Sequence, residues 1–410
     1  MLALFLSLFL ILNVVSCREQ ERPTRELPSD EEITESIATQ LGQDAAIQAD
    51  QIDVKTRDGI ATLTGDTGNL LAKRKAEKIA ESAFGVLAVV NNISVTAERP
   101  DELVEDDILD ALASNPATEN IQIETEVNNG SVTLKGLTDS WAERRLTEKI
   151  VAGVKGVKEI RNNLIVQLEE ARPDSAIAKD IKQSLLWDNR IGDAMIKVEV
   201  DDGNVSLSGA VGSAREKTLA METAQLAGVE AVEADLLEVH PEYQSMMFQN
   251  SQITGLTTDQ IRKAIIRSLQ VDPRVDAEQV NVQIKDDVVI LTGTVPYLSN
   301  KLAAGEDARN TAGVSRVENN IDVNHKVVVQ PEADLSDSAI KNRIVNAMLR
   351  DPYIEYSEQK LQVRVNDGVA ILEGTVESQF EMNQIEEIIA DVKGVITLKN
   401  QMKIAEGNNS

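Results

Sequence analysis

The sequence has one cysteine, Cys17, in 410 residues, so no internal disulfide can form. Histidine is nearly as scarce: there are two, His240 and His325, and neither stands in a repeated setting. Aromatic residues make up only 3% of the chain, so its cores must be built from Val, Ile, Leu and Ala. Positive charge is also short. With 41 Lys and Arg against 68 Asp and Glu, the formal net charge is −27. Such a surface repels phosphate backbones, so no nucleic acid is expected as a partner. It also argues against broad adhesion to anionic lipid, although a local basic patch is compatible with it. There is no P-loop, no metal-spaced His/Cys cluster and no dinucleotide fingerprint. No nucleophile, base and orienting group come together in the pattern, so neither an enzyme nor a cofactor is expected.

What is present begins with an apolar run, "LALFLSLFLILNVV", at residues 2–15. It is short for a spanning helix, which takes about 20 residues, and suits the apolar region of a signal peptide. "VVSC" follows, then the polar run "REQERPTRELPSDEE". A small residue before a lone cysteine, directly after an apolar run, resembles a bacterial lipobox. On that reading residues 1–16 are a lipoprotein signal peptide, Cys17 carries lipid, and 17–28 form a polar tether. The alternatives are an ordinary signal peptide with a chance cysteine, or an uncleaved anchor. No Lys or Arg precedes the apolar run. Arg18, where an inner-membrane lipoprotein of many Gram-negative bacteria has Asp, implies the outer membrane by the same resemblance.

The rest of the chain is repetitive. "VNNGSVTLKG" (127–136) returns as "VDDGNVSLSG" (200–209) and "VNDGVAILEG" (365–374), and five copies align on this hairpin. The turn position holds Gly59, Gly130, Gly203, Asp287 and Gly368. Six residues on stand Gly65, Gly136, Gly209, Gly293 and Gly374. About twenty residues further come Gly-Val pairs headed by Gly85, Gly156, Gly228, Gly313 and Gly394. An Asn-rich pair follows in four copies, at 91–92, 162–163, 319–320 and 400–401; the third copy has Ala234-Asp235.

Each copy opens with a Ser, Thr or Asp cap before an amphipathic run such as "SDEEITESIATQL" or "PDELVEDDILDAL". Ile33, Ile37 and Leu41 share one helical face, as do Ile340, Ile344 and Met348. Alternation then marks two strands about a tight turn, where Asn-Gly or Asp-Gly supplies positive φ cheaply. The return strand is expected to bury Val132 and Leu134, or Val205 and Leu207. Its closing glycine is expected to allow a bend or a close approach to the next helix. A second helix follows; in the fifth copy Ile385, Ile388 and Val392 are expected to line its inner face. The glycine of the Gly-Val pair is read as its left-handed cap. A third strand closes the unit. The fold class is α+β: five tandem small two-layer sandwich units in the order helix-strand-strand-helix-strand.

These hairpins, glycines, Gly-Val pairs and Asn pairs resemble the BON domain, a module named for bacterial osmotically induced periplasmic proteins and nodulation proteins. The likeness covers 29–97, 101–168, 174–239, 257–324 and 336–405, with linkers at 240–256 and 325–335. It implies a binding module of the bacterial envelope, tied to osmotic stress and membrane integrity. It also implies contact with phospholipid or envelope proteins, structural glycines and no catalytic residues. The alternative is a spacer or oligomerising scaffold acting through protein contacts. A lipid anchor would hold the array at a membrane, where weak contacts add by avidity.

Candidate contact residues lie on the second helices. Lys73, Arg74, Lys75 and Lys78 cluster in unit one, and Arg144, Arg145 and Lys149 in unit two. They form either a headgroup-binding stripe or a solvated face with i,i+4 partners. Trp141, Tyr297 and Phe380 stand near the start of the second helix in three copies. They either dip into a membrane or partner, or staple helix to sheet. Asp201-Asp202 and Asp286-Asp287 fall at the turn, where turn chemistry accounts for them without calcium. Met246, Met247 and Phe248 are the most apolar residues of the long link.

Overall fold

The computed structural model describes residues 26–47, 49–167, 172–191, 195–243, 256–286, 288–324 and 335–405. Within them one pattern runs five times. Unit one has α1 (Asp30–Gln43), β1 (Ile52–Arg57), β2 (Ile60–Thr67), α2 (Leu70–Ser82) and β3 (Ala88–Val95). Unit two has α3 (Asp101–Ser114), β4 (Ile123–Asn128), β5 (Ser131–Thr138), α4 (Trp141–Ala152) and β6 (Glu159–Val166). Unit three has α5 (Asp174–Trp187), β7 (Ile196–Asp201), β8 (Asn204–Val211), α6 (Ala214–Ala224) and β9 (Ala231–Val239). Unit four has α7 (Thr258–Val271), β10 (Val280–Lys285), β11 (Val288–Val295), α8 (Leu298–Asn310) and β12 (Arg316–Val323). Unit five has α9 (Asp337–Arg350), β13 (Leu361–Asn366), β14 (Val369–Val376), α10 (Gln379–Ala390) and β15 (Thr397–Ile404).

In every unit the second strand lies in the middle of a three-stranded sheet. It pairs antiparallel with the strand before it and parallel with the strand after it. A two-residue turn suffices for the first pairing. The second needs a crossover, which the second helix provides. Alternate residues of the middle strand, such as Val132 and Leu134, are buried under the helices. The expected helical faces are also buried: Ile33, Ile37 and Leu41 in α1, and Ile340, Ile344 and Met348 in α9. In α10 the buried pair is Ile385 and Ile389, while Ile388 only packs against the core's edge. A spacing of four sets one face there, and Val392 is buried beyond the helix end.

The aspartates at the helix starts do more than cap. In units two and three the N-cap is Pro100 or Pro173, which makes no side-chain cap, and the aspartate is the first helical residue. Its carboxylate accepts both N–H groups of the hairpin turn. Asp101 takes those of Asn129 at 2.8 Å and Gly130 at 2.9 Å. Asp30, Asp174 and Asp337 do the same in their units. The turn needs this because both of its residues have positive φ, +50° at Asn129 and +78° at Gly130, which points two N–H groups away from the ladder. Unit four has Thr258 in place of the aspartate and Asp287 in place of the glycine, so the pair is absent together; Asp287 itself lies outside the described residues.

The strand-ending glycine answers to a different neighbour from the one expected. At Gly136 φ is +141°, and a Cβ there would lie 2.5 Å from the carbonyl oxygen of Gln122, just before β4. The close approach is to the start of the hairpin's first strand, opposite Gly136 in register, and not to the next helix. The Gly-Val glycine also differs in place. α2 caps at Ala83 and α4 at Gly153, so Gly85 and Gly156 fall two or three residues later, where a Cβ would strike Ile33 or Val104 of the first helix. First-helix packing, more than capping, demands glycine there.

An Asx turn after the first helix recurs in all five units. The side chains of Asp44, Asn115, Asp188, Asp272 and Asp351 each accept the N–H two residues on, at 2.8–3.0 Å. The Asn pair has a structural role too. Asn91 donates to the carbonyl of Lys73 in α2 and accepts the N–H of Ile93, tying helix to third strand. Asn162, in unit two, does likewise with Arg144 and Leu164.

Candidate functional site

The units do not hang as separate beads. The first residue of a second helix enters the core of another unit. Leu70 packs within unit two's core, Trp141 against unit three's, and Ala214 within unit one's. Units one, two and three therefore close a ring through one repeated contact. Leu298 repeats it from unit four to unit five. The equivalent Gln379 of unit five is polar and exposed. The Gly-Val turn is the receiving element. Trp141 Nε1 donates to the carbonyl of Val229 at 2.8 Å, and the Leu298 N–H donates to that of Val395 at 3.1 Å.

A second contact joins the two groups. The Lys155 N–H donates to the Arg350 carbonyl at 2.7 Å, and the Lys393 N–H to the Ser114 carbonyl at 3.1 Å. Lys155 and Lys393 hold the same place in units two and five, as do Ser114 and Arg350, so this contact is reciprocal. Units three and four repeat one half: the Ala312 N–H donates to the Trp187 carbonyl at 2.8 Å. There Asn189 donates to the Asn310 carbonyl at 3.1 Å in place of the second half.

The candidate cations are drawn into these boundaries. Arg74 pairs with Glu148 of unit two at 2.6 Å. Lys75 pairs with Asp44 at 2.9 Å and stands over the Phe380 ring of unit five. Arg144 lies over Trp141 and donates to the carbonyls of Asn162 and Leu164. Arg145 donates to the carbonyls of Glu222 and Gln225, at the end of α6. Lys73 is partly exposed, with its backbone carbonyl engaged by Asn91. Tyr297 is buried at the start of α8, and burial raises its phenol pKa. Phe380 meets Tyr353 edge to face, with ring centroids 5.1 Å apart.

Between units one to four the helices leave a cavity of about 620 Å³, open to solvent. Its wall carries Arg74, Lys78, Arg145, Lys149, Arg190, Arg267 and Arg274 against Glu148, Asp188, Glu222, Asp272, Glu306 and Asp307. Seven cations facing six carboxylates is a sharp departure from a chain whose net charge is −27. Several are neutralised in place: Arg190 by Asp188 at 2.7 Å, Arg274 by Asp272 at 2.7 Å, and Arg267 by Asp180 at 2.6 Å. Burial lowers the pKa of Arg145, and desolvation with the charge of Arg215 lowers that of Lys78. Asp307 is pushed well up by burial and by the neighbouring Asp272 carboxylate. Its Oδ2 is buried with no hydrogen-bond partner.

Sequence reasoning missed this cavity because its wall is assembled from four units, none of which holds a motif. Cys17, His325 and Met246, Met247 and Phe248 lie outside the described residues, as do most of the two longer links. Among the described residues no three or more His, Cys, Asp and Glu gather to hold a metal ion, and no helix is long and apolar enough to cross a membrane.

Comparison with known proteins locates the repeat. Residues 29–97, 100–167, 173–241, 257–325 and 336–406 each match the family model described as the BON domain. The chain is 29% identical to "Osmotically-inducible protein Y" of Escherichia coli over 178 residues, 42% of this chain and 88% of that protein. It is 25% identical to "Outer membrane lipoprotein DolP" of Haemophilus influenzae over 161 residues, 37% of this chain and 83% of that protein. Among solved structures, CdsD of the Chlamydia trachomatis type III secretion system matches at 17% identity and a TM-score of 0.15, covering 50% of this chain and 91% of that one.

Proposed function

The chain belongs to the BON-domain family, and from that premise we propose that it is a non-catalytic protein of the bacterial envelope acting as one compact scaffold, held at a membrane by lipid on Cys17. The observation that carries this reading is the use of the second-helix cations and aromatic residues inside the chain. Arg74, Arg145 and Trp141 all bond to neighbouring units. Charges so engaged are poorly placed to meet lipid headgroups. Protein contact then falls to the outward sheet faces and first helices. The relatives' names, one osmotically inducible and one an outer membrane lipoprotein, support an envelope location, a link to osmotic stress and the anchor at Cys17 on the periplasmic face of the outer membrane. Lipid chains supply about 0.8 kcal/mol per buried CH₂, so the scaffold need not bind bilayer itself.

One observation favours phospholipid contact as a second reading. On unit two's outward sheet face Leu137 and Ile165 are register partners, 53% and 64% exposed, with Lys135 and Arg161 on the same strands. The other units have Asp, Ser, Ala, Glu, Thr or Lys at those two places. Co-sedimentation of the 18–410 chain with anionic vesicles, beside crosslinking in the native envelope, separates the readings. The scaffold predicts protein crosslinks and no vesicle binding. Vesicle binding abolished by Leu137→Ser with Ile165→Ser, without protein crosslinks, replaces it with the second reading.

A further inference from the structure

Part of the central cavity's wall is taken up by contacts between units, but not all of its charges are paired. Among the described residues no carboxylate lies within ion-pair distance of Lys78, Lys149 or the Arg145 guanidinium. Arg145 finds only the Glu222 and Gln225 carbonyls and the Gln225 side-chain oxygen, at 3.1–3.4 Å. Burial, and then the charges of Arg215, Arg74 and Lys149, lower the pKa of Lys78. One wall, made by α2 and α4, therefore carries three cations in excess. On the unit-four wall the reverse holds. Asp307 keeps a buried oxygen with no donor, and Glu306 reaches Arg274 only at 3.2 Å, an arginine already bonded to Asp272. A lone anion in this cavity would meet Glu306, and a lone cation would meet the lysines. A molecule bearing both charges a few ångströms apart satisfies both walls. The volume, about 620 Å³, is within the range of small-molecule sites. Trp187, Leu146 and Leu226 line it with apolar surface for the connecting atoms.

We propose that this cavity binds a small zwitterion, with its anionic end at Lys78, Arg145 and Lys149 and its cationic end at Glu306. A free zwitterionic solute and the headgroup of a zwitterionic lipid share that chemistry.

The test is calorimetric titration of the full chain with phosphoethanolamine, alongside inorganic phosphate and ethanolamine as its halves. The expected result is saturable binding of phosphoethanolamine, about tenfold or more tighter than either half. Lys149→Ala and Glu306→Gln should each weaken it about tenfold. Lys149 makes no ion pair and Glu306 is exposed, so both variants should retain the wild-type circular dichroism and melting profile. Competition by phosphatidylethanolamine vesicles separates the sources: displacement of the probe indicates a lipid headgroup, and none a soluble zwitterion. Absence of saturable binding, phosphate binding as tightly as phosphoethanolamine, or folded variants that bind like the wild type would overturn the proposal.

Discussion

Replacing Trp141 by alanine tests the ring contact where it is largest. The indole packs against unit three's core and donates one hydrogen bond, to Val229. A tryptophan buries roughly 200 Å², and taking about half of that as the share lost against unit three gives about 2.5 kcal/mol at 25 cal/mol/Å². The lost hydrogen bond adds about 1 kcal/mol. Arg144 loses the ring beneath it, a further ~0.5 kcal/mol. The expected total is about 4 kcal/mol. The chain's only other tryptophan, Trp187, sits at the boundary of units three and four. Its fluorescence in a urea titration therefore reports, from one boundary away, what is lost at the boundary of units two and three. The unfolding midpoint should fall by roughly 1 M or more, taking a slope near 3 kcal/mol per molar. Gln379→Ala is the control, since that residue holds the same place in unit five but is exposed, and it should change stability by less than about 0.5 kcal/mol. Equal effects at the two positions, or a Trp141 variant as stable as the parent, would refute the reasoning.

Two further outcomes are expected. Asp101→Ala leaves the N–H groups of Asn129 and Gly130 without their acceptor; because the turn is reached by water the cost should be about 1–3 kcal/mol, read by the same titration. Asp351 is buried, and burial raises its carboxyl to about 6 from an ordinary 3.8, against the lowering by the Tyr353 N–H and Gln384. The folded state thus holds this proton more tightly than the unfolded state, so the group's contribution to stability grows as pH falls from above 6 towards 4. Asp351→Asn should remove a cost of up to about 3 kcal/mol at pH 7.5 and little at pH 4, narrowing the pH dependence of the melting temperature.

Much of a single unit is legible in the sequence, and little of the assembly is. The hairpin shows itself because positive φ at two successive positions restricts the residue choice to Asn, Asp and Gly. The first helices show themselves through apolar residues four apart. The aspartate clamp at Asp30, Asp101, Asp174 and Asp337 reads in the sequence as a helix cap, since the N–H donors it binds lie 28–31 residues away. The joint change to Thr258 and Asp287 in unit four was the signal that could have found it. The ring contact left no such trace. Its residues are Leu70, Trp141, Ala214 and Leu298, and a core formed by another unit accepts side chains of any size that fill it. The cavity is hidden for a related reason: Lys149 and Asp307, 158 residues apart in number, line one space only because units two and four both border it.

The central claim is that the five units form one body through these contacts. Small-angle X-ray scattering of the 18–410 chain measures it directly. A single compact body of this length has a radius of gyration of about 21 Å, while five beads of about 70 residues strung end to end have about 40 Å. The contacts described here predict a value near the first, held at high salt. A value near the second would contradict them.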